Sequence, residues 1–518
     1  MSAPAPRPTT GSPGTFVRAA HVITMDGRTG SRPVVANVRF ADGVLTGVGP
    51  DVRPGPGDTV LDGTDRLVTP GFVNAHTHSW EALFKGRYDN LPLELWMLFS
   101  YPILGDARVS PDLVRLRSRL FAAESLKAGV TTLVDDVLET PGQEFDQLDA
   151  VVDAYDEAGV RANVSGHVIN RPFTDTLPFL DELLDPAVAE QVRRAPLLSA
   201  EEYLAFSREA FDRYRGRAGG RLRYMVAPSG PQRCTDDLLA GATELALREG
   251  AECHVHVLET KTQAVTGQES YGTTLVEHMA RIGALSPVTT FAHGIWVTPS
   301  DVELMAAHGV SVSHNPVSNM KLGSGIAPWR AYHDAGVPVG LGSDGCSSSD
   351  SPRMLDVLKA AALLHKVTGP DFTRWPTVEE VLRAGTVGGA RTAQLHTTTG
   401  SLEVGKRADL LVWDLATLAF TPRNELDLQL VHSENGSSLE SVYVDGRLLV
   451  DRGRLTTLDE AALVAELAEH REELRSWQEG LGRLNEVFVP AFTRMHHRAA
   501  ARDVGMHRWA DREAQPVA

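Results

Sequence analysis

The sequence predicts an α/β chain whose centre is a (β/α)8 TIM barrel, flanked by a small β-sandwich domain built from both chain ends and a helical C-terminal extension. Eight short β-branched runs, near 71–75, 130–135, 160–168, 222–227, 252–257, 289–293, 310–313 and 337–342, alternate with helical stretches. That alternation is the pattern of parallel strands joined by helical crossovers. β-like runs with turn signals lie on both sides of the block. Finally, polar residues suited to chemistry collect at the ends of the eight runs, the face where barrels of this kind carry their active sites.

Residues 1–14 are rich in Pro, Ser, Thr and Gly and read as a disordered tail. The runs Phe16–Met25 and Val34–Phe40, the second followed by Ala41-Asp42-Gly43, open a β domain over 15–68. Its second half is expected over 400–455, in Ala408–Trp413 and Ser441–Val450, so that strands from both ends pair in one sheet. The barrel is expected over 69–399. Its first long helix has Leu113, Leu116, Leu120 and Ala123 on one face and stops at Gly129. The proline-bearing connection at 170–200 reads as a lid or substrate loop. Residues 456–518 read as a helical, solvated extension, with Leu463, Leu467 and Leu474 among many charges and with His496, His497 and His507 at its surface.

A chain of 518 residues, 42% of them apolar, can bury a large core. Its 50 basic and 67 acidic residues give a formal charge of -17, which repels phosphate backbones and anionic lipid head groups, so neither nucleic acid nor membrane is an expected partner. No apolar run approaches the roughly 20 residues needed to cross a bilayer. The start, Met1–Pro8, lacks the apolar core of a signal peptide, and the expected location is cytoplasmic. Cys234, Cys253 and Cys346 form no Cys-x-x-Cys pair and offer neither a disulfide framework nor a zinc knuckle.

The stretch Pro70–His78 ends in His76 and His78, which point the same way on an extended backbone and can converge on one ion. The fifth run ends in His256 and Glu259, the sixth at His293 and the eighth at Asp344. Three imidazoles and a carboxylate suit zinc or ferrous iron and leave a position for water. A hydrogen-bonded core residue is the bland alternative for each one singly, but chance does not place all of them at strand ends. His254, two residues before His256, points to the same side and competes for its role; the His-x-x-Glu spacing to Glu259 favours His256. Gly340–Gly345 fits Gly-x-Gly-x-x-Gly, but it ends the last strand instead of opening a nucleotide fold.

These stretches, together with Ser313–Leu322, Gly342-Ser343-Asp344-Gly345 and Gly400–Asp409, resemble the amidohydrolase superfamily over roughly 16–455. Within it they are most similar to the aminohydrolase and chlorohydrolase branch, which includes cytosine, guanine and S-adenosylhomocysteine deaminases and triazine hydrolases. The resemblance implies one divalent metal, zinc or else iron(II), held by His76, His78, His256 and Asp344. It implies Glu259 as proton shuttle, His293 as the group orienting the attacking water, and Asp344 as acceptor of the water's proton. The lysine that bridges two metals in some members is missing from Tyr224–Ser229, which favours one ion.

The implied activity is hydrolytic deamination of an amino-substituted N-heteroaromatic ring, a carbon-nitrogen bond of a cyclic amidine, by a homo-oligomer, dimer or tetramer. The alternatives are hydrolysis of a cyclic amide or carbon-chlorine bond, or a non-catalytic metal-binding scaffold. Trp80, Trp96 and Trp296 are candidates to stack on a flat ring, and His167, Gln232 and Asn315, at the ends of the third, fourth and seventh strands, to contact its substituents. Nucleoside-accepting relatives carry a carboxylate for the ribose just after the Trp96 segment. Here that place reads Pro102-Ile103-Leu104-Gly105, an apolar wall that argues against a substrate with a free ribose.

Overall fold

The computed structural model describes residues 12–101, 103–104, 108–138 and 144–510. Eight parallel strands, β6 (Phe72–Thr77), β7 (Val130–Asp135), β8 (Arg161–Val168), β9 (Leu222–Pro228), β10 (Cys253–Val257), β11 (Thr289–His293), β12 (Ser311–His314) and β13 (Val339–Leu341), pair in sequence order. Each lies within about two residues of its expected run. Apart from the half-buried Arg223 of β9, all are buried along their whole length, as strands covered on both faces must be. The ring closes where the backbone N–H of Asp344 donates to the carbonyl of His76 at 3.0 Å. Glycines permit that approach: a Cβ on Gly342 would stand 2.8 Å from the His76 carbonyl oxygen, and one on Gly340 2.9 Å from Ala75 Cβ. The Gly-x-Gly-x-x-Gly match therefore serves barrel closure.

The second sheet has nine strands: β1 (Thr15–Val22), β2 (Val34–Ala41), β3 (Val44–Gly49), β4 (Thr59–Asp62) and β5 (Arg66–Pro70) from one end, and β14 (Leu410–Asp414), β15 (Leu439–Val444), β16 (Arg447–Asp451) and β17 (Arg454–Leu455) from the other. The halves join where β14 runs antiparallel to β5. Arg161, at the start of β8 and buried, ties this sheet to the barrel through Asp409 (2.8 and 3.1 Å) and Asp445. Of the expected disordered tail, 1–11 lie outside the described residues; Gly14 is held by its N–H on Asp58 Oδ1 at 2.8 Å.

The C-terminal extension departs from the solvated appendage expected of it. It forms the helices Glu460–Glu469, Arg471–Asn485 and Val489–Ala500, and Phe488, just before the last of these, with Phe492 and Met495 within it, is fully buried against Leu98, Leu177 and Leu180. The 170–200 connection is thus not a free loop. It folds into the short helices Leu180–Leu183 and Pro186–Arg193 and is pinned beneath the extension. The runs Val487-Phe488-Val489 and Ala491-Phe492 are apolar in the sequence, but the residues they pack against lie hundreds of positions away and no local pattern names them. Of the three histidines expected at its surface, His497 and His507 are exposed, whereas His496 is half-buried. Among the described residues no helix is long and apolar enough to cross a membrane, and all three cysteines are buried and unpaired.

Candidate active site

The C-terminal ends of β6, β10, β11 and β13 bring His76, His78, His256, Glu259, His293 and Asp344 to the floor of one cavity, all of them buried. His293 and Asp344 have positive φ, 74° and 62°, as does Leu258 before Glu259 (53°). Non-glycine residues rarely adopt this conformation, and it turns the chain abruptly where each strand stops, aiming the side chain into the cavity.

Two imidazole nitrogens face Asp344, and a third faces one of them. Asp344 Oδ1 is 3.3 Å from His76 Nε2 and 3.5 Å from His78 Nε2, and His78 Nε2 is 3.3 Å from His256 Nε2. The opposite ring nitrogens are each occupied. His78 Nδ1 donates to the Asp136 carbonyl (2.7 Å), His256 Nδ1 to the Ser229 carbonyl (3.1 Å), and His76 Nδ1 pairs with His254 Nε2 (2.8 Å). His254 is in turn held through Nδ1 by Glu252 Oε1 at 2.8 Å. With both its nitrogens engaged, His254 orients His76 and is no rival ligand. His76 Nε2 is buried with no hydrogen-bond partner, and groups of His and Asp donors lie within 4.8 Å of each other here. An imidazole-carboxylate donor set with an orphaned nitrogen at its centre fits a divalent cation.

Glu259 reaches within 3.8 Å of His293 Nε2, whose Nδ1 is 2.9 Å from Asn319 Oδ1. Burial, reinforced by the charge of Asp344, pushes the Glu259 carboxyl well above its usual range, in the direction that favours the protonated form. Burial pushes His256 well below its usual value and takes His76 down to about 3, keeping both neutral as ligands must be. At His78 burial opposes charge, but Asp344, Glu81 and Asp136 together raise it to about 9. The Ser318 hydroxyl donates to Asp344 Oδ2.

The other expected site residues divide. Trp96 lines the cavity roof with Leu93, Met97, Tyr101 and Leu322, and His167 lines its wall with Nδ1 held by Asp136 Oδ2 at 2.7 Å. Trp80, Gln232 and Asn315 are not among the lining residues. Trp80 packs edge-on against Tyr101 at 4.9 Å. Asn315 lies behind His293, its Nδ2 3.3 Å from Nδ1. Gln232 is buried beside Arg233, which takes the place at the cavity. Trp296 lies away from this roof, its Nε1 donating to the Ser324 carbonyl at 2.8 Å.

The apolar wall is also misplaced. Ile103 and Leu104 pack with Phe488 and Phe492, their backbone N–H groups donating to Asn485 Oδ1 at 2.9 and 3.0 Å. They face the extension and not the cavity, so the argument against a ribose loses its basis.

Sequence reasoning missed several groups. Asp136 directly follows β7 and could have been found by the same strand-end test; His167 holds its carboxyl low against the opposing effect of burial. Glu81 lines the cavity, accepts from the N–H and hydroxyl of Ser347 at 2.9 and 2.8 Å, and is raised to about 7 by burial. A Cβ at residue 345 would sit 1.9 Å from its carboxylate, so Gly345 makes its room. Arg233 is 4% exposed, with Nη1 3.4 Å from Ser229 Oγ and Nη2 3.3 Å from Met97 Sδ.

The model of the amidohydrolase family matches residues 67–449. A 5'-deoxyadenosine deaminase of Methanosarcina acetivorans is 34% identical over 459 residues, covering 89% of this chain and 98% of the relative. A 5-methylthioadenosine/S-adenosylhomocysteine deaminase of Pelotomaculum thermopropionicum is 32% identical, covering 87% and 96%. Among solved structures, an adenosine deaminase from Xanthomonas campestris with bound zinc superposes with TM-score 0.79 at 28% identity, covering 90% of this chain and 100% of that one.

Proposed function

The chain belongs to the amidohydrolase family, and we propose that it deaminates a 6-aminopurine carried on a sugar, using one divalent metal held by His76, His78, His256 and Asp344. It is a metal-dependent hydrolase that releases ammonia from an amino-substituted N-heteroaromatic ring, as in a cyclic amidine. The purine nucleoside comes from the relatives, named for 5'-deoxyadenosine and 5-methylthioadenosine/S-adenosylhomocysteine. Zinc is the proposed ion, supported by the donor set and by the zinc in the Xanthomonas structure.

The observation that carries the reading is a buried carboxyl, Glu259, facing the same cavity as His78, His256 and Asp344, with His76 Nε2 3.3 Å from Asp344 Oδ1. When bound, the ion supplies activation of water, lowering its pKa from about 15.7 toward about 7. Asp344, beside that position, accepts the water's proton, and His293 orients the water toward the ring carbon. Glu259 gives its proton to the ring nitrogen as the carbon is attacked and then takes the proton of the new C–OH group, while Asp344 passes the proton it took from water to the amine as the C–N bond breaks and ammonia leaves. Trp96 offers an apolar face to the ring, while His167, fixed by Asp136, and Arg233 present donors to its edge.

Assembly as a dimer or tetramer in the cytoplasm belongs to the same proposal. It is supported by an apolar cleft between the helices Pro111–Lys127 and Glu460–Glu469, where Val464 is 60% exposed. The test of function is ammonia release from a panel of aminopurine nucleosides, free bases, amino-pyrimidines and triazines. The expected result is fastest release from the adenine nucleosides; chloride release or ring opening outrunning ammonia overturns it.

A further inference from the structure

A second cleft adjoins the metal cavity, the two sharing Leu322. Glu94 Oε2, Ser324 Oγ and His496 Nδ1 line it, and each of these atoms is buried with no hydrogen-bond partner. Glu94 is 1% exposed and Ser324 3%. The other Glu94 oxygen, Oε1, accepts from Thr260 Oγ at 2.6 Å, and Thr260 directly follows Glu259. His496 Nδ1 stands 3.7 Å from Glu94 Oε2, beyond hydrogen-bond length, yet an oxygen about 2.8 Å from both atoms fits between them.

Buried polar groups are seldom left unsatisfied, so the cleft is shaped for a ligand with matching groups. A carboxylate only accepts hydrogen bonds and repels anions, which excludes a phosphate or carboxylate ligand. Lys261, which also lines the cleft, disfavours a cationic one. A neutral ligand rich in O–H donors remains. Burial opposes charge on Glu94, but His496 and Thr260 hold its carboxyl below the usual range, which keeps it an acceptor.

We propose that this cleft is the subsite for the sugar hydroxyls, with Glu94 accepting from one hydroxyl, and Ser324 and His496 completing the set. The inference rests on the nucleoside reading above. It places the recognising carboxylate two residues before Trp96, on the helix Leu93–Ser100, instead of in the 102–105 segment. It also gives the C-terminal extension, through His496, a direct part in choosing the substrate.

The test uses the full-length, metal-loaded chain and compares kcat/KM for 5'-deoxyadenosine, 2',3'-dideoxyadenosine and adenine, in the wild type and in Glu94→Gln, Ser324→Ala and His496→Ala. His496 is half-buried at the surface, so its variant tests the subsite even if a core change disturbs folding. The wild type is expected to prefer 5'-deoxyadenosine over the dideoxy compound at least ~10-fold, the factor set by 1.4 kcal/mol of lost hydrogen bonding. Each variant is expected to shrink that ratio, through KM. A ratio near one in the wild type, as when water alone fills the cleft, or a ratio unchanged in all variants, overturns the subsite. Ammonia from adenine but from neither nucleoside also overturns it and leaves the deaminase reading standing. No ammonia from any of the three overturns the nucleoside reading and the subsite together.

Discussion

His76, His78, His256 and Asp344 project from the ends of barrel strands, each fixed by a partner from another strand, loop or helix of the barrel, whereas Leu93, Trp96 and Met97 hang over them from a helix that the C-terminal extension supports from behind. The floor is rigid because strands buried on both faces, with shared hydrogen bonds, leave a ligand little freedom. The roof depends on side chains hundreds of residues apart, such as Ile103 against Phe488 and Asn485. The difference assigns reaction type to the floor and substrate choice to the roof.

Replacing a floor ligand is the strongest test of that division. His256→Ala is expected to lose the metal, and with it at least ~10³ in kcat/KM, because water activation by the ion disappears. Metal analysis alongside the rate checks this, and full activity with stoichiometric metal would break the assignment of the floor. Glu259→Gln is expected to keep the metal and lose about 10²–10⁴ in rate, the range for a general acid-base group. Loss of metal in that variant makes Glu259 a ligand.

On the roof, Phe492→Ala removes a fully buried ring from the extension and is expected to cost about 3–5 kcal/mol in stability. Its metal stoichiometry should be unchanged, as read by urea unfolding and elemental analysis. If the metal leaves as it does from His256→Ala, floor and roof are one unit and the comparison fails. The smallest effect is expected from His254→Ala, which leaves the ligands in place but frees His76 Nδ1. Outer partners of this kind are worth about 10–100-fold in metal affinity, and a zinc titration showing no change would remove His254 from that role.

The same division explains what could be read before folding. The floor was legible because strand-end positions and the His-x-His and His-x-x-Glu spacings are local, and two-residue periodicity converts them directly into direction. Within the floor, spacing favours His256 over His254, and the contacts of His254 agree with that choice: Glu252 and His76 stand against its two nitrogens. The roof was opaque. Nothing local marks Asn485 as the partner of residues 103 and 104, or tells which of Trp80 and Trp96 turns to the cavity. Glu94 and Glu81 resemble ordinary helix-turn carboxylates in the sequence, and their burial follows from long-range packing alone.

The central claim, that one ion on this floor makes the chain a deaminase, is tested most directly by titrating metal-stripped protein with zinc while following ammonia release from 5'-deoxyadenosine. The account predicts no release without metal and a linear rise that ends at one equivalent per chain. Activity that is independent of added metal, or that climbs to a break at two equivalents, would contradict it.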